Sequence, residues 1–233
     1  MIEKRSATLD AHAEPRPGPL PGSDAGRRER RKADTRRRLL EAARRLFAEH
    51  GYDATRPQDI AREADVAAGT FYVHFADKRE AFLAFTEQVA DELLAHMAAS
   101  ARNAKDRDLA ATLDRALASL FDYSRDNPGL LRAVSADAAV ASAALPPGAS
   151  LRERLAQTLA ERLRRAAAEG EIPKSFDPEL IAHGAVGFLH AALVHAGGRA
   201  IDRRRVLDNL RQFLRRALLV ETPPSPRKVR SAR

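Results

Sequence analysis

Thr55-Arg-Pro-Gln-Asp-Ile-Ala-Arg-Glu-Ala-Asp-Val-Ala-Ala-Gly-Thr-Phe-Tyr-Val-His-Phe-Ala-Asp-Lys-Arg-Glu-Ala-Phe82 reads as two short helices joined by a tight turn, then the capped start of a third. Thr55 and Gln58 have the spacing of a capping box, in which each side chain satisfies the other's backbone amide. Pro57 falls in the first turn, where its missing N–H costs nothing. Ile60, Ala61 and Ala64 share one face of the first helix. Asp65 stands where the chain must turn, and Asp tolerates left-handed backbone better than most residues. Val66 plugs that turn. The second helix is expected from about Ala67, with Phe71 and Phe75 four apart on its apolar side. Asp77 and Glu80 form a second capping-box pattern, opening a helix that runs past Phe82 and Phe85.

Upstream, Leu39, Ala43, Leu46 and Phe47 repeat at helical spacing, with Leu40 alongside. Gly51 ends that support helix, and Tyr52-Asp53-Ala54 leads to Thr55. Leu39, Leu46, Phe47, Ile60, Val66, Phe71 and Phe75 then make one small three-helix core. The pattern is a helix-turn-helix, an arrangement that presents a short helix to the DNA major groove.

Phe47-Ala-Glu-His-Gly-Tyr-Asp-Ala-Thr55, Asp59-Ile-Ala-Arg-Glu-Ala64 and Gly69-Thr-Phe-Tyr-Val-His-Phe-Ala-Asp-Lys78 resemble the signature of the TetR/AcrR family of bacterial transcription regulators. The resemblance covers roughly residues 35–85; beyond it only length and helical layout correspond. Two departures stand out. Asp65 replaces the usual glycine, and Arg56-Pro57 replaces hydroxyl or apolar residues. The resemblance implies DNA contacts from Thr55, Arg56, Ala67, Ala68, Gly69, Thr70, Tyr72, His74 and Lys78. Thr55, Tyr72, His74 and Lys78 carry groups suited to phosphate oxygens, and Arg56 adds a further phosphate contact. Ala67, Ala68, Gly69 and Thr70 form the base-reading end. They include no Arg, Asn or Gln for a bidentate base contact, which throws specificity onto thymine methyls and DNA shape.

The 233 residues contain 31% charged side chains, no Trp and no Cys, so disulfides and thiolate chemistry are excluded. The length suits one small and one medium helical domain. No apolar run suits a signal peptide or a membrane span, and a cytoplasmic location is expected. The net charge of +8 sits mostly at the ends. Residues 1–32 hold 8 basic and 5 acidic residues, and residues 221–233 hold 4 and 1, so the body between carries only +2. Basic ends suit a polyanion such as DNA, although a charge run is also a common solvated surface.

The expected fold is all-α: an N-terminal three-helix DNA-binding domain and a larger helical ligand-binding and dimerisation domain. The expected boundaries are 1–32 for a disordered basic arm, 33–80 and 81–220 for the two domains, and 221–233 for a disordered basic tail. After Asp77 a long helix carries Phe82, Phe85, Val89, Leu93 and Met97. Asp106 is placed to cap a helix bearing Leu109, Leu113, Leu117, Leu120 and Phe121. Asn127-Pro128-Gly129 breaks it, and a short helix with Leu130, Leu131 and Val134 follows. Ala136–Ala144 reads as helix or loop, and Pro146-Pro147-Gly148 as a stop. A helix from about Ser150 carries Leu151, Leu155, Leu159 and Leu163 to Gly170. Asp177-Pro178-Glu179 opens another, stopped by Gly197-Gly198. The last starts near Asp202, and Pro223, Pro224 and Pro226 exclude helix in the tail.

The helix from Pro178 has apolar residues around most of its circumference, the pattern of a helix buried on all sides. Its Gly184, Gly187 and Ala191 allow close approach. The resemblance implies a homodimer formed by the last two helices. The interface is expected at Gly184, Gly187, Phe188, Ala191, Leu210, Phe213, Leu214 and Ala217; the core of a monomer is the alternative. A pocket for a small apolar or amphipathic effector is expected at Leu93, Met97, Phe121, Phe188 and His190.

An enzyme would need a constellation. His183 and His190 lie seven apart on one helix, but no carboxylate pair at ligand spacing accompanies them, so catalytic residues, metal ligands and cofactors are expected to be absent. A DNA coater would explain the basic ends but not the large near-neutral body. The reading is a ligand-released repressor on a pseudo-palindromic operator, with activation left open as the other sign of control.

Overall fold

The computed structural model describes residues 24–102, 108–136, 150–197 and 203–218. Helices α1 (Asp24–Ala54), α2 (Pro57–Glu63), α3 (Ala68–His74), α4 (Lys78–Arg102), α5 (Leu109–Asp126), α6 (Leu130–Ala136), α7 (Leu151–Glu169), α8 (Pro178–Gly197) and α9 (Arg203–Leu218) account for nearly all of them. No strand occurs among the described residues, so the all-α expectation holds. Residues 1–23 and 219–233, Asp106, the Pro146–Gly148 stop, most of the Ala136–Ala144 segment, Gly198 and Asp202 lie outside the described residues.

The chain divides into two units, Met1–Arg38 and Leu39–Arg233. In the first, residues 24–38 are helical, which corrects the expectation of disorder up to residue 32. The segment is built from Arg, Lys, Glu and Ala, all strong helix formers. Asp24 sits in the first turn, favourable at a helix N-terminus. Arg27 pairs with Asp24 and Arg37 with Asp34, each three residues apart.

In the second unit two apolar clusters form. The first joins Leu39, Ala43 and Phe47 of α1 to Ile60, Phe71, Phe75, Phe82, Phe85, Val89 and Leu93, and takes in Leu120, Tyr123, Leu130 and Val134. Phe47, Tyr52, Phe82 and Phe85 pack ring on ring, with Phe47 and Phe82 edge to face at 5.1 Å. This cluster crosses the boundary expected at residue 80. The second cluster joins Leu109, Leu113 and Leu117 of α5, the Ala156–Ala160–Leu163 face of α7, Ala182 and Val186 of α8, and Leu210, Leu214 and Leu218 of α9. Leu155 and Leu189 touch both clusters.

Local chemistry sets the helix ends. Gly51 (φ 81°, ψ 177°) interrupts α1, as its placement after the last apolar residue implied. Asp108 caps α5 by accepting from the Ala111 amide, and Glu171 adds a second acceptor for the Leu109 amide. Ser150 and Glu153 form a reciprocal capping box on α7, which the sequence reading did not single out. Gly170 ends α7 in left-handed backbone. Asp177 Oδ1 accepts from the Glu179 and Leu180 amides at the start of α8.

Two expectations about the last helices need correction. α8 is not buried on all sides of the single chain: Ala182 and Val186 are buried, whereas Leu180, Phe188 and Val194 are exposed. Leu210 and Leu214, expected at a dimer interface, lie in the second cluster instead. α9 is strongly amphipathic, and its apolar stripe is consumed by the chain's own core. Arg211 and Arg215 reinforce that docking through Asp114 of α5.

Candidate nucleic-acid interface

The α2–α3 corner is set by a left-handed residue. Asp65 adopts φ 52°, the conformation its short polar side chain was expected to tolerate. The Asp65 amide donates to Arg62 O and the Val66 amide to Ala61 O, each at 3.0 Å. Ala67 takes extended backbone as the N-cap of α3. Phe71 and Phe75 are buried and fix the face by which α3 is held.

Because a helix turns 100° per residue, burying Phe71 and Phe75 drives the opposite face outward. Ala67, Ala68 and Gly69 are exposed, and Thr70 and His74 half-buried. Tyr72 is 53% and Val73 68% exposed. The Tyr72 ring meets Phe71 edge to face at 5.3 Å, which steadies it. Val73 is not among the expected DNA contacts, although the Phe71–Phe75 spacing requires it to point away from the core.

The Thr55 capping box does not form. Thr55 is 1% exposed, and its hydroxyl donates to Gly51 O at 2.7 Å. This corrects its expected place among outward-facing phosphate contacts. Interrupting α1 at Gly51 leaves a carbonyl for Thr55 to satisfy, so its hydroxyl is spent inside the fold. Arg56 takes the N-cap position without a side-chain cap. It is exposed, and its guanidinium remains available at the start of α2.

Lys78 is partly committed. Its ammonium donates to Tyr52 O at 2.9 Å and lies 4.1 Å from the centre of the Tyr52 ring. It therefore fastens the α1–α2 connection to the start of α4. The α4 cap is reciprocal: the Glu80 amide donates to Asp77 Oδ1 at 2.8 Å, and Glu80 reaches back to the Ala76 amide at 2.6 Å.

Behind this surface, Glu92 of α4 ties three helices. Arg44 Nη1 of α1 donates to it at 2.7 Å and Tyr123 Oη of α5 at 2.9 Å. Gln88 Nε2, one turn earlier, adds a third bond at 2.9 Å. Arg44 also donates to Asn127 Oδ1 at 3.1 Å. Burial by itself would raise the Glu92 carboxyl, but the Arg44, Tyr123 and Gln88 donors outweigh it and hold it below the usual carboxylate value. Arg132 of α6 donates to Ala48 O of α1 at 3.0 Å. Position along α4 thus connects the corner bearing α3 to the helices of the larger domain.

The five expected pocket residues fall in different packing environments. Leu93 is buried in the first cluster with Met97 against it, and Phe121 packs on the second. His190 is half-buried, and Phe188, 40% exposed, stacks on Phe213. A cleft of about 460 Å³ opens elsewhere, lined by Arg44, Arg45, Ala48, Glu49, Asp126, Asn127, Pro128 and Leu130. Among the described residues no three His, Asp or Glu side chains converge to hold a metal.

Residues 39–85 match the family model of bacterial regulatory proteins of the tetR family. Over this stretch the chain is similar to that family's DNA-binding domain. Solved structures extend the likeness in fold across most of its length. A fatty acid degradation regulator from Bacillus halodurans is 18% identical, with a TM-score of 0.64 over 77% of this chain and 94% of that one. A TetR family transcription regulator from Marinobacter aquaeolei is 24% identical, with a TM-score of 0.59 over 82% and 98%. A TetR-family transcriptional regulator from Pectobacterium atrosepticum is 22% identical, with a TM-score of 0.64 over 82% and 97%. The exposed α3 and the family together identify a DNA-binding transcription regulator. No helix among the described residues is long and apolar enough to cross a membrane.

Proposed function

We propose that this regulator is a cytoplasmic, ligand-released repressor that occupies a pseudo-palindromic operator as a homodimer. The observation that carries the reading is the open aromatic stack on the last two helices. Phe188 and Phe213 lie 4.3 Å apart, and both remain substantially exposed in the single chain. Gly184, Ala191 and Ala217 are exposed beside them and Gly187 is half-buried. Exposed aromatics beside small residues suit a self-complementary helix contact, and one seven-residue recognition helix reads too few base pairs alone.

The effector is a small apolar or amphipathic molecule, held among the helices of the larger domain with Leu93, Met97, Phe121 and His190 as candidate contacts. The similar Bacillus halodurans protein is a regulator of fatty acid degradation, and an acyl compound falls within that class. Binding tilts α4 and changes the separation of the two α3 helices. To release DNA, the effector must bind the DNA-incompetent spacing more tightly than the competent one. Tyr72, His74, Arg56 and Lys78 hold phosphates, while Ala67, Ala68, Gly69 and Thr70 approach base edges.

Gly184→Glu tests the dimer cleanly. No atom lies within 4 Å of where its Cβ would stand, so the monomer accommodates the change, whereas a closed interface would bury an unpaired charge. Sedimentation should show a wild-type dimer and a folded monomeric variant with much weaker operator binding. A wild-type monomer at micromolar concentration removes the proposal.

A further inference from the structure

Val73 is an apolar side chain left open on the exposed face of α3, and nothing in the chain's own packing explains it. It is 68% exposed. Phe71 and Phe75 already supply the helix's grip on the core. One turn before Val73 stands Gly69, also exposed, with nothing within 4 Å of the position its Cβ would take. A glycine and a valine four residues apart lie on one face. That face therefore combines bare backbone, which permits close approach, with one branched hydrocarbon group.

An isopropyl group offers nothing to a phosphate oxygen and cannot exchange hydrogen bonds with a base edge. In the major groove of unmodified DNA, thymine alone presents an apolar group, its C5-methyl. Burying Val73 against any other base edge desolvates polar atoms without return. Resting on the reading of α3 as the DNA-reading helix, we propose that Val73 is a specificity-determining residue that selects thymine by contact with its C5-methyl, one thymine per half-site.

The test removes only that methyl. An operator is selected from random duplexes with the full-length protein, and each half-site thymine is replaced in turn by deoxyuridine, which pairs identically but lacks the C5-methyl. Anisotropy titrations are then run with wild type and Val73→Ala. One buried methyl corresponds to roughly a fourfold change in affinity. The expected result is one thymine position where deoxyuridine weakens wild type by about that factor, with the effect compounding when both half-sites are changed. At that position Val73→Ala should bind thymine more weakly and no longer distinguish it from deoxyuridine, with an unchanged thermal melt. A variant that keeps the wild-type thymine preference at every position overturns the role of Val73 alone. A wild-type protein that selects no sequence overturns the DNA-reading assignment of α3 together with it.

Discussion

Gly129 and Gly170 both hold left-handed backbone, at φ 85° and 79°, yet their surroundings differ. A Cβ on Gly129 would stand 2.5 Å from the Ala48 carbonyl oxygen, whereas one on Gly170 meets nothing within 4 Å. Gly170 serves only to end a helix, while Gly129 also lets the α5–α6 connection press against α1. Gly170→Ala should cost about 1–2 kcal/mol, the penalty of left-handed backbone with a Cβ. Gly129→Ala should cost more, roughly 2–4 kcal/mol, because displacement of α1 is added to the same strain. Urea unfolding of the two variants checks this; equal destabilisation would mean that the approach to Ala48 contributes nothing. The Asn127-Pro128-Gly129 break was legible in sequence, but its partner was not, since Ala48 lies 81 residues away in the chain.

Among the helices, the Glu92 node is the polar link between α1, α4 and α5. Burial, then the bond to Glu92, push the Tyr123 hydroxyl from 10.0 up to about 12. Folding thus favours the neutral phenol. The stability that follows is complete below pH 10 and is lost as pH climbs toward 12. Glu92 has the opposite sign: its lowered pKa adds stability above the ordinary carboxylate range, lost as pH falls through the folded value. Stability measured from pH 10 upward should fall more steeply for wild type than for Tyr123→Phe. Parallel curves would show that the Tyr123 hydroxyl is not held by the fold. Helical spacing identified Leu120 and Leu117 as core, but Tyr123 and Glu92 carry no such pattern. Their pairing depends on how α4 and α5 cross.

The basic segment before the first core residue concerns how the chain as a unit meets DNA. Residues 27–38 hold eight basic side chains, and the described part of this segment is helical from Asp24. Leu39 is the first buried residue among those described, so removing residues 1–32 takes nothing from either apolar cluster. The truncated protein should keep its thermal melt and assembly but bind DNA more weakly at low salt. Its plot of log affinity against log salt should flatten by roughly 0.9 for each phosphate that the segment neutralises in the intact protein. An unchanged slope would assign the segment to solvation alone.

Helix existence, most helix ends and the two-helix corner were legible because their causes are local: 3.6-residue apolar periodicity, capping side chains and residues that accept left-handed backbone. Asp65, Gly51 and the Asp77–Glu80 cap act within a few residues of themselves. The fate of individual side chains on those helices was not local. Thr55 carries the same hydroxyl whether it faces a phosphate or Gly51 O, and the interruption of α1 turns it inward. Leu210 and Leu214 have the periodicity of an interface, but α5 and α8 cover them first, while Phe213 and Phe188 are left open. Apolar pattern specifies that a face must be covered; packing among segments distant in sequence decides whether the cover comes from the same chain.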